Sequence, residues 1–132
     1  MNRIPLIVLW ITVLSIISLC PLFAQFAGGS GTESEPWQIA TAEQLNNVRN
    51  YLGPINSDKH FILTANIDLG VAPWNSGEGW VPIGEYNDWY TRNSFTGYLD
   101  GDNHLISGLY INRPYANYQG LFSITEAATI KN

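Results

Sequence analysis

The chain has 132 residues, six Lys and Arg against eleven Asp and Glu, a formal net charge of −5, 13% aromatic residues and one cysteine. That acidic balance argues against nucleic acid and anionic lipid surfaces as partners, because both are held mainly through lysine and arginine. A disulfide framework within the chain is excluded, since one cysteine cannot pair with itself.

Residues 1–24 read as a secretory signal peptide. Arg3 supplies the positive start, Ile4 to Cys20 is an apolar run broken only by Pro5, Thr12, Ser15 and Ser18, and Leu22-Phe23-Ala24 ends in a small residue. The run is shorter than the ~20 apolar residues of a spanning helix, and Pro21 follows it, so cleavage before Gln25 is expected rather than retention as an anchor. A lipid-modified Cys20 fits poorly because bulky Leu19 precedes it. The mature chain then has no cysteine and loses Arg3, leaving five basic against eleven acidic residues, a charge of −6. The destination expected is outside the cell or on its surface.

Residues 25–36, rich in Gly, Ser, Thr and Glu, are expected to form a flexible leader, and residues 37–132 the folded part. Trp37-Gln38-Ile39 begins it. Thr41 with Gln44 three residues later sets a capping box, and Ala42, Leu45, Val48 and Leu52 recur at helical spacing until Gly53-Pro54. One amphipathic helix of about ten residues is expected there, within ordinary helix lengths. From His60 to Gly70 the period becomes two: Phe61, Leu63, Ala65, Ile67 and Leu69 share one face of a strand. Further short strands are expected at 80–83, 95–99, 105–106, 109–111, 121–124 and 128–131, punctuated by Gly84, Gly97, Gly101, Gly108 and Gly120. Short apolar runs alternating with glycine turns predict an all-β right-handed parallel β-helix, with the helix as a lid on its first coil. The competing architecture is an antiparallel β-sandwich. Because the pattern runs up to Asn132 without a terminator, the chain is expected to be the front portion of a longer protein.

The ordered series resembles the amino-terminal part of bacterial surface proteins that carry GLUG motifs. Its pieces are Gly29-Ser30-Gly31-Thr32, Pro36 to Ile39, Leu63 to Leu69, Trp80 to Gly84, Phe95 to Gly101, His104 to Ile111, Gly120-Leu121-Phe122 and Ala128 to Asn132. The resemblance implies a body similar to the parallel β-helices of pectate lyases and filamentous haemagglutinins. Three departures stand out. Ser123 occupies the fourth position of the Gly-Leu-any-Gly motif, Ala127 stands where similar sequences have glycine, and Asp102-Asn103 replaces an Asn-Gly turn.

Nothing in the sequence has the pattern of a catalytic, cofactor or metal site. Asp100-Gly101-Asp102-Asn103 lacks the glycine and the terminal glutamate of a calcium loop, with Ile111 at the twelfth position, and reads as a turn. His60 and His104 have no ligand partner at short spacing. No nucleophile elbow or phosphate loop is present. The aromatics are more informative. Trp37, Trp80, Phe95 and Phe122 are expected in the core, whereas Trp74, Tyr86, Trp89, Tyr90, Tyr115 and Tyr118 lie among Asn, Gly, Glu and Pro. Rings in such loops suit sugar recognition, with Trp74, Tyr86, Trp89 and Tyr90 as candidate glycan contacts, or else plug the fold locally. The functional expectation is an exported, non-enzymatic, adhesin-like module without cofactor. Its alternative is the leading section of a carbohydrate-active enzyme or secreted peptidase with an active site downstream.

Overall fold

The computed structural model describes residues 24–86, 88, 90 and 92–132. The expected signal segment therefore lies outside the described residues except for Ala24, as does Trp89. Among the described residues no helix is long and apolar enough to cross a membrane.

Among the described residues, six short strands form two sheets. Strand β1 is Trp37–Ile39, β2 His60–Leu63, β3 Ile67–Asp68, β4 Tyr98–Asp100, β5 Ile106–Ser107 and β6 Thr129–Lys131. The larger sheet has the order β1-β2-β4-β6 and the smaller pairs β3 with β5. Every strand pairing is parallel and in register: Trp37 opposes Phe61, Phe61 opposes Leu99, and Leu99 opposes Ile130.

These findings correct the architecture expected from the sequence. The right-handed parallel β-helix is replaced by two small parallel sheets with one helix. The expected strands at 80–83, 109–111 and 121–124 form only isolated bridges, including an antiparallel one between Gly79 and Ile111. Segments that make single bridges cannot supply a continuous wall. The parallel pairing also sets aside an antiparallel sandwich, whose neighbouring strands run in opposite directions.

The core follows the strand alternation. Phe61, Leu63, Ile67 and Leu69 are buried, as the period of two requires. The expected single strand nevertheless breaks between Leu63 and Ile67, and its two halves join different sheets. Asn66 sits at this corner, where its side-chain oxygen accepts a bond from the Leu105 N–H at 2.9 Å. The corner thereby fastens to the strand that pairs with β3.

The helix α1, Ala42–Asn47, is shorter than its periodic pattern and passes into a 3₁₀ turn at Val48–Asn50. The Thr41 hydroxyl accepts from the Gln44 N–H at 3.2 Å, and the Gln44 side chain accepts from the Ala40 N–H at 2.8 Å. The box is thus displaced by one residue on its return bond. Ala42, Leu45, Val48 and Leu52 all join the core.

The glycine-rich stretch at 25–36 packs on the fold. Phe26 is buried among Trp37, Tyr51 and Phe61, with its ring stacked 5.1 Å from Trp37. Gly28 bridges Gln38 in antiparallel fashion, covering the outer edge of β1. An edge strand covered in this way is closed to pairing with another chain.

Trp80 and Phe95 are fully buried, while Trp37 and Phe122 are partly buried against the same cluster. The Trp80 indole N–H donates to the Leu121 carbonyl at 3.1 Å, which satisfies its one polar atom. Arg49 lies 5.9 Å from the Trp80 ring and donates to the Val81 carbonyl at 2.8 Å. Burial lowers the pKa of this guanidinium, and Glu85 acts in the opposite direction.

Candidate carbohydrate-binding surfaces

The loop after Gly84 is pinned at its base. Glu85 and Asn93 exchange two backbone bonds, at 3.0 and 2.7 Å. Tyr86 lies on the near side, with its ring centroid 4.3 Å from that of Tyr118 and the planes tilted by 43°. Hydrogen bonding to Tyr118 raises the Tyr86 pKa. Tyr118 has a left-handed backbone, φ 58°, a conformation uncommon for a bulky non-glycine residue. The two rings border a groove of about 200 Å³ also lined by Arg113, Asn117 and Gln119. The Arg113 guanidinium pairs with the Glu78 carboxylate at 2.7 Å, and its buried Nε has no hydrogen-bond partner among the described residues.

Tyr90 belongs to a different depression. Its side chain is almost wholly exposed beside Arg92 and Glu126. Arg92 makes a two-point contact with Glu126, Nε to Oε2 at 3.2 Å and Nη2 to Oε1 at 3.0 Å. That contact lowers the Glu126 pKa and raises that of Arg92. Trp74 is half-buried with its ring 5.3 Å from Trp80, so it packs on the core. The structure therefore brings Tyr86 together with Tyr118, keeps Tyr90 beside the Arg92–Glu126 pair, and turns Trp74 inward. Tyr115 is fully exposed.

The outer face of the larger sheet carries a second surface that sequence reasoning did not single out. His60, Tyr98 and Thr129 form one row, and Ile62, Asp100 and Lys131 the next. The His60 and Tyr98 rings are parallel within 3° at a centroid distance of 4.1 Å. A groove of about 470 Å³ runs along both rows to Glu33 and Pro36. The signal was present as the outward positions of each strand, but it required the register between strands far apart in sequence.

Asp100 anchors the lower row. Its carboxylate accepts from the Asn132 amide at 2.9 Å and the Asp102 N–H at 2.9 Å, and pairs with the Lys131 ammonium at 3.0 Å. These partners, Asn132 foremost, hold its pKa down to about 2. The turn expected at Asp100 to Asn103 is present, with Asp102 and Asn103 both left-handed. Among the described residues no cluster of three or more His, Cys, Asp or Glu side chains could hold a metal ion.

No family model matches the chain, and no solved structure does. Two curated proteins are similar to it. One, from Evansella cellulosilytica, is assigned by name only as a Gly-rich membrane protein and is 44% identical over 99 residues, covering 75% of this chain. The other is the halomucin of Haloquadratum walsbyi, 36% identical over 105 residues and covering 77% of this chain. The chain spans 10% of the first relative's length and 1% of the second's.

Proposed function

We propose that the chain is an exported, non-enzymatic binding module of a surface-associated protein, and that its loop aromatics hold carbohydrate. The Tyr86–Tyr118 ring pair carries the reading. A sugar presents an apolar face that a ring can cover and hydroxyls that Asn117 and Gln119, on the same groove, can take. Location is supported by the export signal read from residues 1–24 and by relatives whose names refer to a membrane protein and a halomucin. The share of each relative that aligns is small, which fits a module within a longer protein.

A glycan array probed with the protein tests the binding. The expected result is at least one positive glycan whose signal falls in Tyr86→Ala and Tyr118→Ala and survives in Trp74→Phe. An array with no positive glycan, or one whose signal is indifferent to both tyrosines, sinks the reading.

A further inference from the structure

We propose that the outer face of the larger sheet is a second, separate carbohydrate site, in which one neutral pyranose takes the third place in the His60–Tyr98 ring row. The three residues of this row are His60 on β2, Tyr98 on β4 and Thr129 on β6, paired in register. His60 stacks flat on one face of Tyr98. The opposite face of that ring looks over Thr129, a small side chain, and Tyr98 remains 42% exposed. Successive strands lie about 4.8 Å apart, so the place above Thr129 has the thickness of one further ring. A pyranose fits this opening with its apolar face on Tyr98.

The surroundings choose among ligands. Asp100 and Lys131 in the adjacent row, Glu33 at the end of the groove and the Thr129 hydroxyl supply acceptors and donors for sugar hydroxyls. The groove carries two carboxylates, Glu33 and Asp100, against the single ammonium of Lys131. That balance opposes a polyanionic chain such as a polyuronate. An extended peptide lying across the face is also disfavoured: β2 and β4 under the groove are each paired on both sides, so their backbones offer it no main-chain partners. The loop site at Tyr86 and Tyr118 involves none of these residues, and either site can fail alone.

Calorimetric titration of the protein with cellohexaose, xylohexaose and mannohexaose, and with oligogalacturonate as the charged comparison, tests the assignment. At least one neutral hexasaccharide should bind. Tyr98→Ala should weaken it about tenfold, the equivalent of about 1.4 kcal/mol. Thr129→Tyr, which fills the place with a protein ring, should also weaken it about tenfold or more while the melting temperature stays near that of the parent. Tyr118→Ala should leave this component intact. The proposal is overturned if no neutral hexasaccharide binds, if only oligogalacturonate binds, if a well-folded Thr129→Tyr binds like the parent, or if Tyr118→Ala alone abolishes all binding. In the last case the loop reading stands by itself.

Discussion

Ala127 has φ 52°, in the left-handed region where a Cβ is costly and glycine is not. The resemblance read from the sequence implies a glycine at this position, and the left-handed backbone of Ala127 marks it as one under strain. Ala127→Gly should raise stability by about 1 kcal/mol, read as a higher denaturant midpoint at unchanged slope. A lower midpoint would refute the assignment of strain. Asp102 and Asn103 adopt the same conformation at less cost, since short polar side chains tolerate it.

Asp100 sets a pH dependence at the same scale. Its folded pKa, about 2, lies below the ordinary value of 3.8. The contribution it makes to stability is therefore present in full above about pH 4 and is lost as the pH falls towards 2. Glu126, lowered by Arg92, acts in the same direction. Melting temperatures recorded from pH 6 down to pH 2 should fall at the acid end, and the fall should be shallower in Asp100→Asn. A parallel curve for that variant would show that Asn132, Asp102 and Lys131 do not hold the carboxylate as described.

Among the elements, the helix was the most legible. Its cap, its start and its buried face were readable from Thr41, Gln44 and the spacing of Leu45 and Val48, because helical periodicity is local. Its length was not, since the turn at Val48–Asn50 tightens to 3₁₀ before Leu52 joins the core. Leu45 is fully buried, and Leu45→Ala should cost about 2–5 kcal/mol. Thr41→Ala should cost about 1 kcal/mol through the lost cap. Both are measurable by urea unfolding, and a change within about 0.5 kcal/mol for Leu45→Ala, the size of an ordinary surface effect, would place the helix off the core.

The strands were legible only in part. The alternation from Phe61 to Leu69 identifies Phe61, Leu63, Ile67 and Leu69 as buried, while Ala65 is only half-buried, and it carries no mark of the corner at Asn66, which is made by a bond to Leu105 from a distant part of the chain. Trp80 and Ile83 are buried as strand residues would be, but Trp80 donates one backbone bond to the Tyr110 carbonyl and Ile83 makes a single bridge to Phe122 instead of either entering a ladder. Burial patterns announce which side chains face inward. They do not say whether a partner strand continues alongside.

At the scale of the whole molecule, the parallel register is what converts scattered residues into surfaces. It aligns His60 with Tyr98 and Thr129, and Ile62 with Asp100 and Lys131, although none of these relations is visible within one stretch of sequence. The aromatic loops, by contrast, were identifiable from composition alone. The partnership of Tyr86 with Tyr118 needed the chain folded, and Trp74 proved to share the core with Trp80.

Residue-resolved NMR of the labelled protein during titration with a neutral hexasaccharide tests most directly whether this fold displays sugar-binding aromatics. The account predicts saturable shifts at Tyr86, Tyr118 and Gln119, and at Tyr98 and Thr129, while the inward row of Phe61 and Leu99 stays still. A spectrum unchanged at millimolar sugar, or shifts confined to residues away from both ring groups, would contradict it.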